Sequence, residues 1–101
     1  MYVIVWEFEV HPEHRELFLD CYSSTGTWAR LFRRAPGYIG TELLTCTESP
    51  DRYITIDRWR EMESYLHFQQ EFGESYRLLD RQLEGCTTSE RKIGTFTVAD
   101  D

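Results

Sequence analysis

The sequence predicts one small α+β domain of the ferredoxin-like kind, with the element order strand, helix, strand, strand, helix, strand and an antiparallel four-stranded sheet. Three observations support this prediction: an alternating apolar segment opens the chain, two segments have apolar residues at helical spacing, and two further alternating segments are joined by a short polar turn. The 101 residues suit one domain and are too few for two, so we expect residues 1–101 to form a single domain.

The first strand is predicted over residues 2–10, where apolar and aromatic side chains alternate. Pro12 follows and suits the first turn of a helix, which apolar residues continue at three- and four-residue steps as far as Phe32. Gly26 lies in a polar stretch of this segment and predicts a break or kink in the helix. The Ala-Pro-Gly sequence at residues 35–37 ends it.

The second and third strands are predicted over residues 38–47 and 52–59, and the polar turn between them indicates a hairpin. A second helix follows and ends near Gly85, and Gly73 is a point at which it could divide. Its apolar stripe consists of Tyr65, Phe68, Phe72, Tyr76, Leu79 and Leu83. The last strand is predicted over residues 90–99.

One face of the predicted sheet carries no helices, because two helices can cover only one face of a four-stranded sheet. On the first strand, Val3 and Val5 would lie on this second face. Ile54 and Ile56 would extend the same apolar patch if their strand presents them to it. An exposed apolar patch favours burial against a partner. We therefore expect a homodimer that packs through this sheet face.

The charge and the hydropathy of the chain limit its partners. The net charge of −7 disfavours nucleic acid and anionic membrane surfaces, which attract basic proteins. No apolar run approaches the ~20 residues that a membrane helix needs. No signal segment is visible, so we expect a cytoplasmic protein without a membrane partner.

Residues with the chemistry of metal ligands or of acids and bases are widely spaced. The three cysteines fit neither a disulfide framework nor a zinc site, and His11 and His14 lack a third ligand, so no metal site is expected. The carboxylates of the strands are expected to form salt bridges at the dimer interface. These carboxylates are Glu7, Glu9 and Asp57.

Three segments share their order and spacing with a known family. They are the opening strand YVIVWEFEV followed by HPEH, the segment APGYIGTELL after the first helix, and the strand YITIDRW that runs directly into an amphipathic helix. Their order and spacing resemble those of the antibiotic biosynthesis monooxygenase-like family of dimeric α+β barrels. The resemblance covers essentially the whole chain. The resemblance implies dimers packed through their bare sheet faces, and a pocket between the helices and the sheet of each subunit.

The resemblance also implies an activity, since members include cofactor-free oxygenases of aromatic polyketides or quinols, and haem-degrading enzymes. In many members a pocket histidine or tryptophan lies nine residues after the tryptophan that ends the third strand. Counting from Trp59 reaches Phe68, and His67 lies one step short of it, turned by about 100° around the helix. Haem-degrading members have an asparagine where this sequence has Trp6, and an iron-ligand histidine near the position of Leu78. Haem degradation is therefore disfavoured, and no cofactor is expected.

The candidate catalytic residue is His67, because an imidazole with an ordinary pKa near 6.5 can take a proton from a phenol or hydroquinone. The alternative is a partly exposed helix histidine without a chemical role. Six aromatic residues could line a pocket for a flat aromatic ligand, or could instead form a packed core. They are Trp6, Tyr22, Trp28, Phe68, Phe72 and Tyr76.

Two functional hypotheses follow from these residues. The first is a cofactor-independent monooxygenase that acts on a small aromatic compound of the quinol or polyketide type. The second is a non-catalytic dimeric module that binds a hydrophobic ligand. The density of aromatic residues favours the first hypothesis, and the absence of the family's histidine from position 68 favours the second.

Overall fold

The computed structural model describes residues 1–100 and contains one four-stranded antiparallel sheet with helices on one side. The elements in chain order are β1 (Tyr2–Val10), α1 (Arg15–Tyr22), α2 (Thr27–Phe32), β2 (Tyr38–Thr45), β3 (Arg52–Trp59), α3 (Met62–Gln82) and β4 (Thr87–Thr97). A 3-10 turn at Pro12–His14 precedes α1. The α+β class and the ferredoxin-like order predicted from the sequence are confirmed.

The strands are arranged in the order β2-β3-β1-β4, so the first and third strands of the chain form the centre of the sheet. All three neighbouring pairs are antiparallel. The central position of β1 agrees with the apolar residues on both of its faces. One face of a central strand can be buried under helices, and the other face is then available to a partner.

Three boundaries differ from the sequence prediction, and all belong to the two edge strands, β2 and β4. β2 ends at Thr45 rather than at residue 47, because the chain turns there and the Cys46 N–H bonds the Arg52 carbonyl. β4 begins at Thr87 rather than at residue 90, and it ends at Thr97 rather than at residue 99. Its polar start has no strand pattern, but backbone pairing with β1 holds it in the sheet as an edge strand.

The break predicted in the first helix is confirmed, because α1 and α2 are separate helices joined by residues 23–26. The second helix remains one element, but Phe72 has non-helical backbone angles (φ −114°, ψ 18°), which places a kink next to Gly73. The second half of α3 therefore has its own direction, and it carries residues that reach the site described below.

The core lies between the sheet and the three helices. Trp59 from β3, Phe18 from α1 and Phe68 from α3 are its largest fully buried side chains. The Phe68 ring lies 5.1 Å from that of Phe32 and 5.3 Å from that of Trp59, centre to centre. These contacts fix α3 and α2 against the sheet, since buried aromatic pairs contribute both area and favourable ring geometry.

The second face of the sheet is not covered by any part of residues 1–100. Val5 pairs with Ile56 across β1 and β3, so the valines and isoleucines of these strands share that face, as expected. Phe96 pairs with Val3 from the other side and is half exposed. Leu44 pairs with Ile54 and adds an exposed leucine. We call this surface the bare face; it consists of Val3, Val5, Leu44, Ile54, Ile56 and Phe96.

Charged residues border the bare face. Glu7 accepts hydrogen bonds from Arg52 and Arg91, with an Arg91 Nη2 to Glu7 Oε1 distance of 2.9 Å. These guanidinium groups lower the pKa of Glu7. The expectation that Asp57 belongs to the same set of salt bridges is wrong, because alternation along β3 puts its side chain on the opposite face, under the helices. No helix within residues 1–100 has the length and apolar character needed to cross a membrane.

Candidate functional site

A pocket opens between the helix-covered face of the sheet and the ends of the helices. The volume open to the centre of a water molecule is about 50 Å³, which is room for a few waters. Its walls are aromatic and consist of Trp6, Phe8, Tyr22, Trp28, Phe32 and Tyr76. Its polar lining consists of Thr41, Thr55, Asp57, Asp80 and Glu90. The pocket therefore combines large apolar rings with three carboxyl groups.

Four of the six aromatic residues singled out in the sequence line this pocket, namely Trp6, Tyr22, Trp28 and Tyr76. The other two do not line it. Phe68 is 1% exposed and lies in the core, and Phe72 packs against it with the Arg34 guanidinium 5.0 Å from its ring centre. The cavity thus lies beside Trp6 and away from Phe68, although Phe68 and Tyr76 share one helical stripe.

His67 lies on the exposed side of α3 and does not line the pocket. Its neighbour Phe68 points into the core, and one residue step turns the next side chain by about 100° around the helix. A role for His67 as the base stays a prediction from the sequence, and it would require a substrate that reaches the outer surface of α3.

The aromatic walls are closely packed. Trp28 contacts Tyr76 with 4.9 Å between ring centres, and Tyr22 contacts Phe8 at the same distance. Burial raises the pKa of Tyr76 to about 12 and also raises the pKa of Tyr22 well above its ordinary value. Both hydroxyls are therefore neutral near pH 7 and can donate hydrogen bonds. The buried Trp28 Nε1–H interacts with the Tyr22 hydroxyl, which partly opposes the effect of burial on the Tyr22 pKa, but the contact does not reach full hydrogen-bond geometry.

Asp57 lies at the floor of the pocket on β3 and is 9% exposed. Its side chain accepts one hydrogen bond, from Thr41 Oγ1 to Asp57 Oδ1, at 2.7 Å. Thr41 Oγ1 is 2.6 Å from the Tyr38 hydroxyl, and because Thr41 donates to Asp57, Tyr38 donates to Thr41. No cation pairs with Asp57 among residues 1–100. Burial therefore raises its pKa to about 6, and the Thr41 hydrogen bond opposes this only in part.

Two further acids, Asp80 on α3 and Glu90 on β4, stand at the exposed rim. Partial burial raises the pKa of Glu90, and the charge of Asp80 adds to the effect. The two carboxylates therefore lie near enough to each other for their charges to interact. No Lys, Arg or His side chain is part of the lining.

The pocket does not have the composition of a metal centre. Within the described part of the chain, no three His, Cys, Asp or Glu side chains lie close enough together to hold a metal ion. The three pocket acids are therefore spread around the cavity, with one on the floor and two at the rim.

Asp57 is the residue that reasoning from the sequence misplaced, although the signal was present. The alternation of β3 puts Tyr53, Thr55, Asp57 and Trp59 on one face, and an acid among buried aromatic residues is unusual. A carboxyl group buried without a cation and lying at a cleft is typical of functional sites. The sequence indicated on which face of β3 the Asp57 side chain lies, but it did not indicate that a cavity lies beside that side chain.

The sequence model of the family described as Antibiotic biosynthesis monooxygenase matches residues 1–78 of the chain. A search of curated proteins found no match. Among solved structures, the chain is similar to a variant of SnoaB, a cofactor-independent oxygenase from Streptomyces nogalater. The two share 21% sequence identity and a TM-score of 0.73 over 97% of this chain and 92% of that chain.

Two further solved structures are similar to the same degree in shape. One, from Nitrosomonas europaea, is assigned as an antibiotic biosynthesis monooxygenase; it has 13% identity and a TM-score of 0.73, over 97% of this chain and 89% of that chain. The other, from Bordetella bronchiseptica, has the same assignment; it has 18% identity and a TM-score of 0.73, over 97% of this chain and 96% of that chain. At these identities the likeness establishes a shared fold.

Proposed function

The chain belongs to the antibiotic biosynthesis monooxygenase family, and from this premise we propose that it is a cofactor-independent monooxygenase of a small aromatic compound of the quinol or polyketide type. The observation that carries the proposal is Asp57, a buried carboxylate without a cation at the floor of an aromatic pocket. Its pKa of about 6 lies close to neutral pH, where a general base is most effective. The similarity in fold to SnoaB supports the same reaction class.

The proposed reaction needs no reductant other than the substrate. Asp57 removes the phenolic proton of a hydroquinone, and the resulting electron-rich anion reduces molecular oxygen and combines with it. One oxygen atom enters the ring, the other leaves as water, and the ring is oxidised. A hydroquinone and one oxygen molecule thus give a hydroxyquinone and one water. An anthrone methylene becomes a carbonyl with the same balance.

Each residue of the pocket has a part in this scheme. Thr41 holds the Asp57 carboxylate through the hydrogen bond to Oδ1, which leaves the other oxygen for the substrate. The rings of Trp28 and Tyr76 provide apolar surface against which a flat substrate can pack. The same rings keep bulk water away from the reactive anion, which limits its reprotonation.

The direct test is oxygen uptake by the purified chain with a panel of hydroquinones and an anthrone. We expect Asp57→Asn to lower the rate by roughly 10²- to 10⁴-fold, because that is the usual contribution of a general base. The matched control is His67→Gln, which removes the exposed histidine and is expected to leave the rate unchanged.

The outcomes separate the two candidate bases. A rate that is lost in His67→Gln and kept in Asp57→Asn would assign the base to His67 and refute the role of Asp57. No uptake with any member of the panel would contradict the monooxygenase proposal itself.

The second candidate function, a non-catalytic module that binds a hydrophobic ligand, is favoured by the small volume of the pocket and by the absence of any histidine from its lining. This function predicts that an aromatic ligand quenches tryptophan fluorescence, since Trp6 and Trp28 line the pocket, while no oxygen is consumed.

The assembly and the location of the protein are part of the same proposal. The bare face supports a homodimer, because its apolar residues form one contiguous patch across β2, β3, β1 and β4. We further propose a cytoplasmic location, with which the net charge of −7 is consistent. The single-domain organisation of residues 1–101 stays a prediction.

A further inference from the structure

The charged side chains that line the pocket are all acidic. Asp57 lies on the floor, Asp80 and Glu90 stand at the rim, and the lining contains no basic side chain. None of these three acids takes part in an ion pair among residues 1–100. Elsewhere in the molecule, acids such as Glu7 and Asp51 do pair with arginines. The pocket is therefore a local negative field without an internal counter-ion.

A buried charged group in the pocket lacks the partners that burial normally requires. Asp57 is nine-tenths buried and has one hydrogen bond and no cation. The buried Trp28 Nε1–H interacts with the Tyr22 hydroxyl, at a geometry too poor for a full hydrogen bond. Because buried polar and charged groups are normally satisfied, an unpaired carboxyl group at a cavity indicates a missing ligand. The ligand would bring positive charge for the acids.

The aromatic walls suit the same kind of ligand. Trp6, Trp28 and Tyr76 line the pocket, and ring faces attract cations that lie within about 6 Å of the ring centre. Carboxylates at the rim add to this attraction and repel an anion of the same shape. The proposed chemistry adds a further reason, because proton transfer from the substrate to Asp57 keeps the total charge constant. A substrate with its own carboxylate would thus add one more negative charge to a pocket that already holds three acids.

We propose that this pocket selects small aromatic compounds that carry a positively charged amine and rejects carboxylated compounds of the same shape. This inference shares one assumption with the proposed function, namely that this pocket is the substrate site. It gives the substrate class that the family likeness leaves open.

The test is a binding comparison with three probes that share a phenol ring and differ in the charge of one substituent. Tyramine carries an ammonium group, tyrosol a neutral hydroxyl and para-hydroxyphenylacetate a carboxylate. Binding to the full chain is followed by NMR through the indole N–H signals of the three tryptophans, of which Trp6 and Trp28 line the pocket and report on it. We expect tyramine to bind about tenfold more tightly than tyrosol, and the carboxylate to bind most weakly, because each rim charge contributes a modest, solvent-screened attraction.

Two double variants separate the pocket acids from the charge of the whole chain. Asp80→Asn with Glu90→Gln is expected to lower the affinity for tyramine severalfold, and to leave the affinity for tyrosol unchanged; Asp57 remains and retains part of the preference. The control, Asp20→Asn with Glu74→Gln, removes two exposed acids outside the lining and is expected to keep the tyramine preference.

Three results would overturn the proposal: equal affinity for all three probes, no binding of any probe, or a tyramine preference that is unchanged in the rim variant. The readout does not depend on turnover, so it is separate from the test of the proposed function. A chain that prefers tyramine but consumes no oxygen would refute the monooxygenase and keep this inference. A chain that oxidises hydroquinones without regard to their charge would refute this inference and keep the monooxygenase proposal.

Discussion

Among single residues, Asp57 shows how position changes the chemistry of an ordinary side chain. On the exposed border of the bare face, the Glu7 carboxylate has two guanidinium partners and a lowered pKa. On the other face of the same sheet, Asp57 is buried and accepts one hydrogen bond from a hydroxyl group, and its pKa is raised. The two acids differ because desolvation disfavours a charge that has no cation nearby, whereas a paired charge is favoured.

The raised pKa predicts how Asp57 affects stability as the pH changes. The folded state holds the Asp57 proton up to a pH of about 6, whereas the unfolded chain releases it near 3.8. The stability that protonated Asp57 contributes is therefore fully present below about 3.8 and is lost as the pH rises through about 6. The unfolding free energy of Asp57→Asn minus that of the wild type should therefore rise by about 3 kcal/mol as the pH increases from acidic to neutral. One pKa unit corresponds to about 1.4 kcal/mol.

Urea unfolding of both proteins at a series of pH values measures this difference. Asp20→Asn, at an exposed position on α1, serves as the control and should show a difference that does not change with pH. A constant difference for Asp57→Asn as well would mean that its carboxyl group is not desolvated in the folded protein.

Among the elements, the separation of α1 from α2 and the kink in α3 place the walls of the pocket. α1 brings Tyr22 and α2 brings Trp28, and the part of α3 beyond Phe72 brings Tyr76 and Asp80. A continuous first helix would carry its last turns away from the sheet. The backbone approach at Gly26 allows the change in direction, because a side chain there would meet the Asp20 and Cys21 carbonyl oxygens at 2.6 and 2.8 Å.

This close approach predicts opposite effects for two glycine substitutions. Gly26→Ala should lower the unfolding free energy by about 1–3 kcal/mol, because the contacted atoms are backbone and cannot move without shifting α1. Gly73→Ala should be neutral or stabilise by up to about 1 kcal/mol, because alanine favours helix and the nearest atom is the mobile Arg77 Nη1 at 3.3 Å. Thermal unfolding of the two variants measures both effects. Equal stability of Gly26→Ala and wild type would contradict the proposed reason for the break between the helices.

For the whole molecule, the two faces of the sheet have different roles. The helix-covered face holds the core and the pocket, and the bare face carries an apolar patch bordered by the Glu7, Arg52 and Arg91 cluster. Because the patch and the pocket lie on opposite faces, burying the patch against a second copy would leave the mouth of the pocket open. Assembly and ligand binding can therefore be tested separately.

The dimer proposal predicts that the wild type sediments at about twice the 12.1 kDa of one chain. Ile56→Glu should shift the protein to the single-chain mass at micromolar concentration, because it places an unpaired charge in the middle of the bare face. Leu17→Glu, at an exposed leucine on α1, is the control and should leave the mass unchanged. A wild type that sediments as a single chain would refute the dimer.

The sequence by itself determined the order of the elements and, along β1 and β3, which residues share a face, because both follow from local periodicity. It also identified four aromatic residues that line the pocket. The tertiary structure decided which members of a shared stripe do so: Tyr76 reaches the cavity, whereas Phe68 is enclosed by Phe32 and Trp59 from other elements. It likewise decided the chemistry of Asp57, because the cavity, the Thr41 donor from the neighbouring strand and the lack of a nearby cation depend on contacts between residues distant in the chain. No local pattern encodes such contacts.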